Sequence, residues 1–510
     1  MRGIHLKSAA LLMGLVLAAC AVGPNYHRPS APVPQRFKEA DGWKPAEPRE
    51  AASGSDWWSV YNDTTLHELE KQIDVSNQTL KQSEAAWRQA VAVVSEARAQ
   101  LFPTVGVTAQ GTRSKQTSGT LPAGTTTTSS TTTTTTTTST PIPNASASHP
   151  FNEFELAGTA SWELDIWGKI RRTIESDVAN AQMTEAELAA ARLSAQGTLA
   201  TDYVELRVAD EQKELLDQTV DAYKRSLQIT ENQYKAGVAA KTDVITAQTQ
   251  LEGAESQQIN IGVTRATLEH ALAVLVGKPP ADLSIAPAKL GDVVPVIPTG
   301  VPSSLLERRP DVAEAERNMK AMNALVGVAV AAYFPDLTLQ GSYGYASSVI
   351  SHLVSAPNNL WSFGGSATDT LLDFGARPAA VRQARAAYDA AVANYRQTVL
   401  TAFQQVEDEL ATLRILEQQF QVQDQATKSA NLAVQLTLNQ YKAGTVAYTS
   451  VVTAQTIALT DATTLLTIRQ NRVTASVALI QALGGGWDAA SLDTPNGTAA
   501  QLHAQDRPAQ

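Results

Sequence analysis

NQYKAG stands at residues 232–237 and again at 439–444. Extended at that fixed offset of 207, Asn232–Gln250 (NQYKAGVAAKTDVITAQTQ) matches Asn439–Ile457 (NQYKAGTVAYTSVVTAQTI) at 13 of 19 positions. Agreement this long, at this distance, marks the chain as an internal duplication. The hexapeptide itself reads as a helix end. Lys235 and Lys442 sit in the last turn, where a cation suits the negative end of the helix dipole, and Gly237 and Gly444 follow as residues that can close the helix in the left-handed conformation. Each copy therefore marks the tip of a helical hairpin, one tip in each half.

Working outward, the offset of 207 also relates Gly168 to Gly375, Leu206-Arg207 to Leu413-Arg414 and Ala247-Gln248-Thr249 to Ala454-Gln455-Thr456. Earlier in each half it becomes 232, relating Phe102-Pro103 of QLFPTVGV to Phe334-Pro335 of AYFPDLTL, so the first half carries 25 additional residues. Thr117–Ser148 accounts for them. It is uncharged, Thr-rich and broken by Pro and Gly, too poor in apolar surface to order itself, and reads as a solvated loop.

The stretches beside that loop alternate. Phe154, Leu156, Gly158, Ala160, Trp162, Leu164 and Ile166 interleave with Glu153, Glu155, Thr159, Ser161, Glu163 and Asp165. Val105, Val107 and Ala109 share this period of two, as do Leu337, Leu339, Gly341, Tyr343 and Tyr345, and then Trp361, Phe363, Gly365 and Ala367. Leu372-Asp373-Phe374 resumes one residue out of step, which suggests a bulge. Each half thus has a β-hairpin with one apolar and one polar face, the pattern of a transmembrane β-barrel. Four strands cannot close a pore, because such barrels use eight or more. Several chains must contribute; the pattern alone does not choose between two copies and three.

A long helical stretch follows each hairpin. Lys169–Ala236 and Arg377–Ala443 contain one proline between them, Pro378, in the first turn where it is tolerated. Ala-rich runs at Ala186–Ala195 and Ala379–Ala393 permit close helix approach. A return helix follows each tip, and Leu66–Ala99 and Ser303–Ala332 supply a preceding helix. The predicted scheme is a signal peptide at 1–19, an extended segment at 20–62, a first repeat at 63–276 with its β-hairpin at 101–167, a Pro-rich linker at 277–302, a second repeat at 303–483 with its β-hairpin at 334–375, and a polar tail at 484–510.

Charged residues make up 18% of the 510-residue chain and the net charge is −10, with no Lys/Arg cluster, which argues against nucleic acid. MRGIHLK, the apolar run SAALLMGLVLAA and Cys20 have the layout of a secretory signal, its apolar run too short to span a bilayer comfortably. Leu17-Ala18-Ala19-Cys20 resembles a bacterial lipobox, with cleavage before Cys20 and acylation of that residue, the only cysteine in the chain. Acyl chains there supply a membrane anchor. Ala21 and Val22 follow without the Asp that favours inner-membrane retention, so the outer membrane is expected.

CAVGPNYHRP after the lipobox, WWSVYND at 57–63, ASWELDIWGKIRR at 160–172, the two AGV/AGT…AQT tips, LLERRPDVAEAE at 305–316, FPDLTLQGSYG at 334–344, TLLDFGARPAAV at 370–381, YRQTVLTAFQQVEDEL at 395–410 and ALGGGW at 482–487 occur here in that order. Together they resemble the outer-membrane factor family, the TolC/OprM-like conduits, and more closely its NodT-type lipoprotein branch, over nearly the whole mature chain. The resemblance implies an α+β membrane protein and a homotrimer, with four strands per chain in a twelve-stranded outer-membrane β-barrel and long helical hairpins in a periplasmic α-barrel. It implies a periplasmic adaptor (membrane fusion) protein and an inner-membrane pump of the resistance-nodulation-division type as partners. Outer-membrane lipid would contact the barrel and the N-terminal acyl chains. The function implied is the exit duct of a tripartite efflux pump, passively conducting small molecules such as drugs and gated at the helical tips.

In that family the tip gate combines basic, tyrosine and acidic groups. The matching positions here are Tyr441, Lys442, Tyr448, Thr449 and Thr453, with Tyr234, Lys235 and Asp243 on the first tip. Thr453 stands where some relatives carry Asp, so Asp243 is the remaining tip carboxylate, and Lys442 and Asp243 are expected to supply the gate's electrostatics. Other readings are an exported enzyme, a lipoprotein that only tethers the envelope, and the duct of a type I protein secretion system. Seven histidines without HExxH spacing, and the absence of GxSxG or a phosphate loop, leave no catalytic residues, cofactor or metal site to assign. The lipobox and the NodT-like motifs favour efflux over protein export.

Overall fold

The computed structural model describes residues 21–34, 36–39, 56–115, 150–291, 295 and 305–493. The expected signal peptide, Cys20, the Thr-rich loop at 117–148, linker residues 292–294 and 296–302, and the tail from 494 lie outside them.

A short 3-10 turn at Trp57–Tyr61 precedes helices α1 (Thr64–Ser76) and α2 (Gln78–Ala99), then strands β1 (Thr104–Ser114) and β2 (Phe151–Leu164). Helices α3 (Lys169–Lys235) and α4 (Lys241–Leu275) complete the first repeat. The second comprises α5 (Leu305–Arg308), α6 (Pro310–Ala331), β3 (Asp336–Ser347), β4 (Asn359–Thr368), α7 (Ala376–Lys442) and α8 (Tyr448–Ala482). The duplication is kept to the residue in the hairpins: α3 and α7 have 67 residues each, α4 and α8 have 35. At 1.5 Å per residue the longer pair run about 100 Å.

Three boundaries differ from the sequence expectation. The single helix expected over Leu66–Ala99 is broken at Asn77, whose backbone is extended at ψ 124°. Its Oδ1 accepts from the Leu80 amide at 3.0 Å and its Nδ2 donates to the Leu275 carbonyl at 2.7 Å, so one side chain caps α2 and ties it to the end of α4. The helix expected over Ser303–Ala332 is likewise interrupted before Pro310, because the residue preceding a proline is pushed out of the helical region. Leu372-Asp373-Phe374 is not a bulged continuation of a strand. β4 ends at Thr368, and Asp373 instead caps α7, accepting from the amides of Gly375 at 3.0 Å and Arg377 at 3.1 Å.

Contacts gather the described residues into two units, each drawing on both repeats. One, within residues 21–23, 96–172 and 327–380, holds the sheet; the other, within 24–95, 173–326 and 381–493, holds most of the helices. The sheet is antiparallel in the order β1-β2-β3-β4. Its register places Val105 opposite Ala160, Leu156 opposite Tyr345, Trp162 opposite Leu339 and Tyr343 opposite Trp361 on one face. Gln110 opposite Glu155, Thr159 opposite Ser342, Glu163 opposite Thr338 and Ser342 opposite Ser362 form the other. The alternation read from sequence is thus shared across all four strands.

The helical unit is built on one large apolar cluster. Trp57 and Trp58 join Leu69 and Ile73 of α1, Leu199, Tyr203 and Leu206 of α3, Leu272 of α4, Tyr395, Val399 and Val406 of α7, and Leu479 of α8. Burying each large side chain contributes roughly 1.5–3 kcal/mol. Ala179, Ala181, Ala186 and Ala200, all fully buried on α3, let neighbouring helices approach. The Tyr203 hydroxyl donates to Asp63 at 2.6 Å, and Asp63 also caps α1. Glu70 lies on the buried face of α1 with neither carboxyl oxygen hydrogen-bonded. Burial, with Asp74 adding, pushes its carboxyl up to about 9.

Candidate functional site

Two features are the candidates for function: a two-faced sheet and a pair of helical tips. The polar face of the sheet is made of hydroxyls, amides and a few carboxylates. Ser342 and Ser362 Oγ atoms meet at 2.8 Å across β3 and β4, and Glu153, Glu155 and Glu163 come from β2. The opposite face presents Val105, Val107, Trp361 and Phe363 to the surroundings, each more than 70% exposed. A row of large apolar side chains left outside a folded sheet marks a surface made for something other than water.

Where the first hairpin enters α3, Asp165 accepts from the amides of Ile170 (3.0 Å) and Arg171 (2.9 Å) and pairs with the Arg171 guanidinium (3.1 Å). Trp167 stacks on Phe334 with centroids 4.7 Å apart and donates from its indole nitrogen to the Pro335 carbonyl. The chain immediately after Cys20 docks here: the Val22 amide donates to the Trp167 carbonyl at 3.0 Å, and Arg172 donates to the carbonyls of Val22 and Gly23. Cys20 itself lies outside the described residues, one bond beyond this docked segment.

At the tips, NQYKAG does what its composition predicts. Gly237 and Gly444 adopt φ of 76° and 75°. The Gly237 amide donates to the Tyr234 carbonyl and the Val238 amide to that of Gln233; Gly444 to Tyr441 and Thr445 to Gln440 repeat the pattern. These are Schellman closures, and a left-handed residue is required at the penultimate donor.

The structure brings some of the expected gate residues together and leaves others apart. The rings of Tyr441 and Tyr448 lie 5.2 Å apart at 57°, both buried, in a cluster with Ala247 of α4 and Val451 of α8. Burial raises both hydroxyls' pKa, and the Asp243 carboxylate adds to this, so Asp243 lies within electrostatic reach of the pair. Thr453 returns its hydroxyl to the Thr449 carbonyl at 2.9 Å, as a helix-surface threonine does. Among the described residues no ion pair joins Lys442 to Asp243, the two charged groups expected at the gate. Lys442 and Lys235 end their helices, and it is Lys241 that covers Tyr234, 5.5 Å above the ring.

Sequence reasoning missed the contacts that join one hairpin to the other. Gln233 Nε2 donates to the Tyr441 carbonyl at 3.3 Å, so the second residue of one hexapeptide holds the third residue of the other. Further along, Arg265 pairs with Asp210 (2.8 Å) and Glu269 (3.1 Å), and Arg207 donates to the Ala286 carbonyl at 2.7 Å. Glu211 accepts from the Leu290 amide at 2.8 Å and from Arg469 of α8 at 2.7 Å. Residues 285–290 of the linker are thereby strapped across α3, α4 and α8. Apart from Arg265 and Glu269, one helical turn apart, these partners lie 55 to 258 residues from each other, so no local pattern announces them. Among the described residues no group of His, Cys, Asp and Glu is disposed to hold a metal ion.

The sequence pattern of outer membrane efflux proteins matches residues 69–278 and 301–485, the two repeats on either side of the linker. The chain belongs to the outer membrane efflux protein family. OprJ, an outer membrane protein of Pseudomonas aeruginosa, is 30% identical over 485 residues, covering 94% of this chain and 96% of that protein. TtgC of Pseudomonas putida, a probable efflux pump outer membrane protein, is 28% identical over 494 residues, covering 94% and 97%. Among solved structures, the outer-membrane channel OprN superposes with a TM-score of 0.82 at 28% identity, over 92% of this chain and 100% of that one. As an outer membrane efflux protein, the chain acts in the outer membrane, and the α+β architecture of strand quartet and long hairpins is that of its solved relatives.

Proposed function

We propose that three copies of this chain form the exit duct of a tripartite efflux pump, receiving small molecules from a periplasmic adaptor and an inner-membrane pump of the resistance-nodulation-division type and releasing them outside. The observation that carries this reading is the sheet: one continuous apolar face, one continuous polar face, and two open edges. Such a sheet is stable in a bilayer only when copies close it into a barrel with the polar face inward. TtgC's assignment to an efflux pump supports the transport role.

The duct performs no bond chemistry; its work is to pass solutes and to stay shut otherwise. In our reading the tips are the gate, with Tyr441 and Tyr448 packed against Ala247 and Gln233 bound to the Tyr441 carbonyl. An aromatic pair is worth about 0.5–1.5 kcal/mol beyond its burial, and a hydrogen bond about 1 kcal/mol net. Such a closure is strong enough to favour the shut state and weak enough for a partner that binds the open tips preferentially to reverse it. Cys20 and its acyl chains would moor the N-terminus. Purified protein in planar lipid bilayers tests the reading directly: discrete ion conductance is expected, and its complete absence in correctly assembled trimers would remove it.

A further inference from the structure

Each of the two longest helices is gripped, at equivalent positions, by an extended piece of chain from elsewhere. The repeat offset of 207 carries Arg207, Asp210 and Arg265 to Arg414, Glu417 and Arg472. The ion pair between the last two members is kept: Arg265 with Asp210, Arg472 with Glu417. In the first repeat this set grips the linker by its backbone. Arg207 and Arg265 donate to the carbonyls of Ala286 and Ile285, while Asp210 and Glu269 accept from the amides of Ala288 and Ile285.

In the second repeat the same set meets the N-terminal segment, where Arg414 pairs with the Glu39 carboxylate. Glu269 has Ser476 as its counterpart and Glu211 has Gln418, so those two backbone acceptors are not kept. Glu407, with Ala200 at the equivalent place, supplies a new one. Its two oxygens accept from the amides of Lys38 at 2.6 Å and Glu39 at 2.8 Å. Phe37, beside them, is buried in the main apolar cluster, and further back Arg28 donates to the Tyr395 hydroxyl of α7 at 3.2 Å. The N-terminal segment is thus laid along α7 and fastened at Glu407 and Arg414.

The two grips differ in how they would let go. Arg207 and Asp210 side chains are 3% and 5% exposed, a closed pair whose separation leaves a charge buried without a partner. Those of Arg414 and Glu417 are 43% and 47% exposed, so water can replace each partner as it leaves. α7 carries this looser fastening and the tip on one unbroken helix. Tyr441 lies 441 − 414 = 27 residues beyond Arg414, about 40 Å at 1.5 Å per residue.

We propose that residues 37–39 are a releasable strap that holds α7, and through it Tyr441, in the shut arrangement, with Glu407 and Arg414 as its fastening points. The inference rests on the conduit reading with a gate at the tips and adds what restrains that gate from a distance. Freeing the strap takes two amide bonds and one ion pair away from α7, so arrangements in which α7 has moved gain population.

Hydrogen exchange and planar-bilayer recording on the full-length protein test it together. Glu39→Arg and Arg414→Glu each break the ion pair and set like charges side by side, and Glu407→Gln weakens the hold on the two amides. Each should speed exchange at residues 38 and 39 by roughly tenfold, as losing a charge-assisted hydrogen bond does, and should raise open probability several-fold. Glu39→Arg combined with Arg414→Glu should return both readings toward wild type, which a general loss of packing would not do. Glu39→Cys with Arg414→Cys should lower open probability on oxidation and restore it on reduction. Faster exchange with unchanged open probability, unchanged exchange in all three single variants, or no recovery in the double variant would overturn the strap and leave the conduit reading standing. Correctly assembled trimers that pass no current, wild type included, would overturn the conduit reading and the strap with it.

Discussion

Arg469 on α8 donates to Glu211 on α3 at 2.7 Å, and the two residues belong to different hairpins of the same chain. Glu211 also receives the Leu290 amide, so this one carboxylate joins α3, α8 and the linker. Replacing it by Gln leaves Arg469 facing a neutral partner in a largely shielded site, at a cost of about 1–3 kcal/mol. Glu211→Gln and Arg469→Met are both expected to lower the melting temperature and to lengthen open events in bilayer recordings, and the double variant should lose less than the sum of the two, as residues in one network do.

At the tips, Tyr441→Ala and Tyr448→Ala each remove a buried ring from a small cluster, a loss of about 3–5 kcal/mol in a well-packed core and toward the lower end here, where the tip can relax. Both variants should raise open probability in planar bilayers and admit large antibiotics to cells. Asp243→Ala is expected to have a smaller effect of the same sign. Lys442→Ala should be near neutral, because no ion pair with Asp243 forms in the structure; an effect of Lys442→Ala equal to that of Tyr448→Ala would show that the gate works by charge rather than packing.

Glu70 gives a pH dependence whose sign is fixed. Its carboxyl sits at about 9 in the folded chain, against an ordinary value near 4.5. The folded state thus keeps a proton that the unfolded state releases, and stability falls as pH rises between those two values. Glu70→Gln removes that dependence. Its melting temperature should exceed that of the wild type at pH 8, and the difference should shrink toward pH 5. Parallel melting curves for both proteins across this range would show that another group is responsible.

Cys20→Ser should abolish incorporation of labelled palmitate while leaving trimers detectable in outer-membrane fractions, since the sheet supplies its own membrane contact. Retained label in that variant would place the acyl group elsewhere.

Much of the fold was legible because it depends on local periodicity. The alternation around Phe154–Ile166 and Leu337–Tyr345 reports burial on one face of a strand, and Gly237 and Gly444 report a backbone conformation that few other residues tolerate. The ends of β4 and of the preceding helices were less legible. Asp373 reads as part of an alternating run until its side chain is seen to cap α7, and Asn77 looks like an ordinary polar helix residue until the Leu275 carbonyl is beside it. Of the proposed gate, Tyr441 stands in the repeated motif, whereas its contact with Tyr448 shows only in the fold, and Lys442 and Asp243, named on charge alone, have no ion pair joining them among the described residues. Apart from the Arg265–Glu269 pair, the strap through Glu211, Arg265 and Arg469 depends on partners dozens to hundreds of residues away, and no single stretch of the chain contains it.

The polar face of the sheet, from Gln110 across Thr159 and Ser342 to Ser366, consists mostly of short hydroxyl and amide groups. In the proposed duct a molecule travelling past them would meet many weak, interchangeable partners. Short dwell times and little chemical discrimination along the wall follow from that reading. The choice of cargo would then fall to the machinery upstream, with the outlet unchanged.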